Sequence, residues 1–250
     1  METLKHFRIP IKNCRGHGYD NAPNMSCKYN GTQQHILAVN PSCISSPCAC
    51  HTLILYVVDS ASCCTEAVTF FGVVQTVYNL FSSSSLRWAI FKEHVDESFQ
   101  ALSGTRWTDR VASVRPFTAH LVEIRLVLKK LLSLNLMPKT INEVNGVIKY
   151  VSSFICILMS SMWLKILVQI DRRNQIIQVR DATVDVEVSN SESLLTDLDD
   201  LRGKWPQILN KAKLAAEEIE IEPHPPSKRK VKKEQELLSL RRRMNKGRTF

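Results

Sequence analysis

Asp20 stands directly after Gly16-His17-Gly18-Tyr19. A carboxylate at a strand end can hold Mg²⁺ or Mn²⁺ for in-line attack on a phosphodiester, with two metals clamping the attacking and leaving oxygens. One carboxylate does not build that site. The plain alternative is a turn, because Asp20 is followed by Asn21 and both types favour turns. Further on, Cys48, Cys50 and His51 suggest zinc at first sight. A structural zinc takes four ligands, as a rule in two separated pairs. Cys63 and Cys64 offer the second pair only as adjacent sulfurs, a poor chelate. The plain alternative is a buried cysteine and a histidine that caps a helix. Asp59 closes the apolar run Val57-Val58. With a helix from His51 onward it lies about two turns beyond that residue and points away from Asp20 unless the chain folds back.

The most direct nucleic-acid feature is the run Lys228-Arg229-Lys230-Val231-Lys232-Lys233, followed by Arg241-Arg242-Arg243. Closely spaced Lys and Arg neutralise phosphates and displace counterions, giving salt-sensitive, sequence-blind affinity. The same run fits a nuclear-import signal. DNA, bound nonspecifically through this tail, is the expected partner, and the nucleus the expected location. Much of the net charge of +9 sits there. A basic excess suits a polyanion but says nothing about fold, and a merely solvated tail is the bland alternative. Nothing resembles a phosphate-binding glycine loop or a Ser/His/Asp nucleophile arrangement.

The eight cysteines, at 14, 27, 43, 48, 50, 63, 64 and 156, are irregularly spaced. Residues 1–10 carry Glu2, Lys5 and Arg8 and lack the apolar stretch of a secretory leader. The cysteines therefore read as reduced thiols of the cytosol or nucleus. The most apolar window, Tyr150 to Leu164, is shorter than the roughly 18 to 20 residues of a membrane span. It holds Ser152, Ser153, Ser160 and Ser161 and reads as a buried core helix, with no membrane partner.

These groups must be positioned by short strands and many helices. Residues 14–20 suit a strand ending at Asp20, and Cys43 to Cys48 a second one of poor β-propensity. A helix is expected from Met25 to Leu37, weakened at Asn30-Gly31. From His51, Leu53, Val57, Ala61 and Cys64 fall on one side of a helix. Ala67, Phe70, Phe71, Val74, Val77, Tyr78 and Phe81 mark the next, up to the break at Ser82 to Ser85. Leu86 to Val95 is a further amphipathic set. One long helix is expected from Val111 to Leu132, kinked or started by Pro116. Another runs from Thr140 to about Ile170, followed by shorter charged helices at Glu192 to Leu201 and Pro206 to Ile219. Trp88, Trp163 and Trp205 read as packing residues.

The order Gly18-Tyr19-Asp20-Asn21-Ala22-x-Asn24-Met25-Ser26, a helix, Asn40-Pro41-Ser42, Pro47-Cys48-x-x-His51-x-Leu53 and Val57-Val58-Asp59 resembles the central part of hAT-type transposases. It is more closely similar to the transposase-like domain of zinc finger MYM-type proteins. The likeness continues through Phe81-Ser82-Ser83-Ser84, Arg87-Trp88, Thr105-Arg106-Trp107 and the basic run, so it covers nearly the whole chain. The combination is specific, although each piece alone is weak. The resemblance implies a ribonuclease-H-like core interrupted by a large helical insertion, cutting and joining DNA with three carboxylates and divalent metals. By it, Asp20 matches the second carboxylate. The first belongs to an upstream strand that this chain is expected to lack, and the third is a Glu beyond the insertion, also expected to be absent. Cys48 and His51 match a Cys-x-x-His motif associated with the neighbourhood of the active site and DNA end, so His51 could touch a phosphate. Arg106 and Trp107 match an Arg-Trp pair. Two roles stay open for that pair: stacking on an extruded nucleotide, or anchoring the insertion to the core. Cys27 replaces a common Gly, Ile54 replaces a common Asn, and Pro23 is unusual at a helix start though tolerable in a first turn.

The expectation is thus an α/β, predominantly helical chain. Residues 1–105 would form a partial ribonuclease-H-like core, 106–222 an all-α insertion, and 223–250 a basic, disordered tail. The expected function is a domesticated or degenerate transposase-like domain that binds nucleic acid or chromatin without catalysis. Asp20 would be a vestigial metal ligand and no cofactor would be needed, with Mg²⁺ or Mn²⁺ serving only a complete core. One alternative is a metal-dependent DNA transposase or nuclease whose missing carboxylates lie outside this chain. Another is a helical protein-interaction scaffold with no DNA role.

Overall fold

Gly16–Tyr19 (β1) and Ile44–Pro47 (β2) pair as parallel strands, with Gly16 opposite Ile44 and Tyr19 opposite Pro47. The computed structural model describes residues 6–20, 22–62, 64–102, 107–179 and 183–223, and in those spans every side chain but those of residues 54 and 107–109. Gly18 lets β1 approach closely, since a Cβ there would stand 3.3 Å from the Ser46 carbonyl oxygen. β2 forms despite its serines because it is short, and Pro47 is its last paired residue, where a missing N–H costs least.

The crossover between the strands carries α1 (Pro23–Ser26) and α2 (Thr32–Val39). Pro23 is the first residue of α1, where its fixed φ suits a helix start. The single helix expected from Met25 to Leu37 is broken. Gly31 caps α2, and a Cβ on it would stand 2.6 Å from both the backbone nitrogen and oxygen of Cys27. The chain folds back on itself there and only glycine fits. Asn40 then ties the crossover down. It is buried, and its amide donates to the carbonyls of Cys14 at 2.7 Å and Ile11 at 3.0 Å.

Nine further helices follow among the described residues. They are α3 (Ala49–Ala61), α4 (Thr65–Ser82), α5 (Ser85–Lys92), α6 (Trp107–Ala119), α7 (Leu121–Leu131), α8 (Pro138–Val151), α9 (Phe154–Ile177), α10 (Val184–Gly203) and α11 (Trp205–Glu218). Among the described residues the chain is predominantly helical, with one small parallel sheet. The apolar stripe read for α4 is its buried face: Ala67, Phe70, Phe71, Val74, Val77 and Phe81 all enter the core. Aromatic contacts join it to its neighbours. Phe70 meets Phe117 of α6 edge-on at 5.9 Å, Phe71 meets Trp163 of α9 at 4.9 Å, and Phe81 meets Phe91 of α5 at 4.6 Å. Trp88 stacks on Phe91 at 5.7 Å.

Four further expectations need correction. The helix expected over 111–132 is two, α6 and α7. Pro116 lies inside α6, has no N–H to give and crowds the preceding turn. The chain turns one helical turn later at His120, with φ −112° and ψ 33°. The helix expected over 140–170 is also two. Ser153 Oγ accepts the Cys156 N–H at 3.4 Å and donates to the Tyr150 carbonyl at 2.6 Å, so serine caps both ends of the break between α8 and α9. Cys64 does not continue the buried side of α3, because α3 stops at Ala61 and Cys64 is exposed where α4 begins. Trp205 is 40% exposed rather than packed away.

α9 is the helix around which the others gather, packing on α3, α4, α6, α8, α10 and α11. With 24 residues and a mean hydropathy of 1.6 in its most apolar window, it is long and apolar enough to cross a membrane, unlike the shorter window Tyr150 to Leu164. Half of that window is buried against neighbouring helices. Toward its C-terminal end, Arg173 Nε donates to Asp197 of α10 at 3.1 Å, and the buried Asn190 side chain donates to the Arg173 carbonyl at 2.8 Å. Charge and amide together fix how α10 lies on α9.

Candidate functional site

Two places in the fold bear on function: a polar cleft at the strand ends and an apolar groove on the helical body.

The cleft has a volume of about 220 Å³ and opens where β1 ends. Asp20 follows Tyr19 there and is exposed. Its Oδ1 accepts the Ala22 N–H at 3.2 Å, an Asx turn that leads into α1. Tyr19, Ser26, Gln33, Ser45 and Ser46 are the other polar residues of the lining, all of them neutral types. Asp20 is the cleft's one carboxylate among the described residues. A pair of divalent metals of the kind implied by the transposase resemblance needs carboxylates converging from several elements. These residues do not fit such a pair. No group of three or more His, Cys, Asp or Glu gathers anywhere among the described residues.

The Cys48 N–H donates to the Tyr19 carbonyl at 2.8 Å, so the start of α3 is hydrogen-bonded to the residue before Asp20. The fold thereby brings the two halves of the sequence motif, Asp20 and Cys48 to His51, to the same end of the sheet. Cys48 occupies the N-cap of α3 and is exposed, while Cys50 and His51 are half-buried in its first turn. That turn has no acidic residue and no side-chain cap. Burial, with the Cys48 thiol and the Glu187 carboxylate nearby, pushes the Cys50 thiol up to about 11. Cys50 is therefore a protonated, weakly nucleophilic thiol near neutrality. Asp59 is exposed on α3.

Arg106 and the tail residues Lys228, Arg229, Lys230, Lys232, Lys233, Arg241, Arg242 and Arg243 lie outside the described residues. Trp107 opens α6, and its side chain is likewise outside the description.

The groove was not foreseen from the sequence. It has a volume of about 560 Å³ and lies between α3, α9, α10 and α11. Tyr56, Ile166, Leu198, Trp205 and Ile208 form much of its wall, with Lys165 and Arg202 among the lining residues and no carboxylate. Tyr56, Leu195 and Trp205 remain substantially exposed along it. The available signal was apolar side chains off the buried stripe: Tyr56 one residue before Val57, and Leu195 one after Leu194.

Compared with known proteins, the chain matches no family model, no curated protein and no solved structure.

Proposed function

We propose that this chain is a nucleic-acid-binding module without phosphodiester chemistry of its own, related to the hAT-type transposase domain. The observation that carries the reading is where the charge sits. Residues 224–250 hold ten of the 33 Lys and Arg and two of the 24 acidic residues, so eight of the nine net positive charges lie there. The helical body is close to neutral. Such a chain attaches to polyanions through its tail, by counterion release and without reading sequence. On this reading the β1–α1–α2–β2–α3 segment is what remains of a ribonuclease-H-like core, and the later helices belong to its insertion. Asp20 is then a turn residue descended from a metal ligand, since one carboxylate cannot clamp two metals. His51, in the uncapped first turn of α3, is the residue of the core best placed to add a phosphate contact. The tail addresses the chain to the nucleus. Binding of duplex DNA measured at several salt concentrations tests the reading. Log affinity should fall linearly with log salt, by roughly 0.9 for each phosphate neutralised. Affinity indifferent to salt would contradict it.

The groove favours a second reading, a helical interaction scaffold. Its exposed Tyr56, Leu195 and Trp205 suit an apolar helix face, and Lys165 and Arg202 suit an acidic flank on that helix. A chain that binds no DNA at low salt, yet captures such a peptide in a Trp205-dependent way, would favour the scaffold.

A further inference from the structure

Cys14 and Cys43 lie just before β1 and β2, one at the foot of each strand. Their sulfurs are 3.4 Å apart although 29 residues separate them in the chain. Cys43 is 3% exposed and Cys14 half-buried. The surrounding backbone holds both in place. The Ile44 N–H donates to the Arg15 carbonyl at 3.0 Å, directly beside the pair. Asn40 reaches both cysteines: its side-chain amide donates to the Cys14 carbonyl at 2.7 Å, and its backbone carbonyl accepts the Cys43 N–H at 3.1 Å. The thiols are ordered too: Cys43 donates to the Cys14 sulfur, and Cys14 donates to the Gly16 carbonyl at 3.3 Å. A disulfide needs its sulfurs about 2.05 Å apart. Closing the gap takes a little over an ångström, within reach of side-chain rotation.

We propose that Cys14 and Cys43 form a reversible redox pair, joined as a disulfide by oxidants of the glutathione disulfide class and open in reducing surroundings. The accessible Cys14 thiolate attacks glutathione disulfide, and one glutathione thiol leaves. The Cys43 thiolate then attacks the Cys14 sulfur of the mixed disulfide, and a second glutathione thiol leaves. Two protein thiols are oxidised, one glutathione disulfide is reduced, and both thiol protons end on glutathione. Cys43 suits the second step because it is shielded from bulk reagent yet in contact with its target. The bond closes a loop containing β1, α1 and α2, and with them Asp20 and one wall of its cleft, β2 supplying the other. Oxidation would therefore stiffen this segment while leaving the helical body unchanged. The inference is independent of the DNA-binding reading, which does not need these thiols.

Incubating the full chain with glutathione disulfide, then blocking free thiols and mapping peptides by mass spectrometry, tests the pair. The expected product is an oxidised chain giving a cross-linked Cys14–Cys43 peptide pair, lighter by two hydrogens than the two free peptides, and dithiothreitol reverses the link. Proteolysis within residues 16–42 should slow in that product. Cys14→Ser and Cys43→Ser should each abolish it, and Cys27→Ser should leave it intact. Circular dichroism of the variants confirms that they fold. If either serine variant misfolds, the mapped bond in the unaltered chain still decides. Stable glutathione adducts on Cys14 without closure would overturn the proposal, as would bonds scattered among Cys27, Cys48 and Cys64.

Discussion

The Asp20 carboxylate accepts the Ala22 N–H at 3.2 Å and has no second carboxylate beside it in the strand-end cleft among the described residues. That bond is local and exposed, and it assigns Asp20 to a turn. Asp20→Ala should cost about 0.5–1 kcal/mol of stability, the ordinary worth of one such bond. Incubated with supercoiled plasmid and Mg²⁺ or Mn²⁺, neither the original chain nor the variant should nick the DNA. Nicking by the original chain that vanishes in Asp20→Ala would show an active site completed by carboxylates from elsewhere.

Gly31 is the most constrained position of the crossover. A methyl group there meets the Cys27 backbone at 2.6 Å and the Met25 carbonyl at 2.7 Å, with no flexible side chain to yield. Gly31→Ala should destabilise the crossover by about 1–3 kcal/mol, the range for forced backbone strain. Hydrogen exchange should show faster opening of residues 16–47, with α9 still protected. Unchanged exchange in that segment would refute the constraint.

Asp171 gives a pH prediction. Its Oδ1 is buried without a hydrogen-bond partner, while Oδ2 accepts the Gln175 amide at 2.9 Å. Burial raises its pKa, outweighing the opposing pull of Arg115 and the Gln175 bond. A carboxyl raised on folding binds its proton more tightly in the folded state. Its favourable contribution is complete below the unfolded value of 3.8 and is lost as pH rises through the higher folded value. Asp171→Asn should therefore match the original chain in thermal stability near pH 3 and exceed it modestly at pH 7. A variant less stable at pH 7 than at pH 3, relative to the original, would reverse the sign.

The thiols should separate by reactivity. Cys27 is exposed, and backbone N–H groups of Asn30, Tyr29 and Gly31 lower its pKa. Cys156 is fully buried and pushed up to about 12. Since the thiolate is the nucleophile, iodoacetamide at pH 7.5 should label Cys27 first and Cys156 only after denaturation. Peptide mapping over a time course reads this directly, and early labelling of Cys156 would contradict the packing of α9.

Much of this architecture was legible in the residues. Apolar positions at three- and four-residue steps marked α4 faithfully, and the strand expected over residues 14–20 contains β1. What failed was local chemistry competing with periodicity. Val144 to Ile166 keeps an apolar spacing across Ser152 and Ser153, yet the serine hydroxyl takes backbone partners and ends the helix. Pro116 was seen, but its effect falls at His120, one turn on. The meeting of Cys14 with Cys43 depends on strand pairing, which no spacing within one segment reveals. The groove depends on four helices converging, so only its stray apolar side chains were visible beforehand.

The central claim is that affinity for nucleic acid resides in the tail. Its direct test is a fluorescence-anisotropy titration of labelled duplex DNA with the full chain and with a chain lacking residues 227–250, at low and moderate salt. Circular dichroism should first show helical content nearly equal in the two. The full chain should bind with an affinity that falls steeply with salt, and the shortened chain should lose most of that affinity at every salt concentration. Equal binding by both at moderate salt would place the electrostatic contact on the helical body and contradict the account.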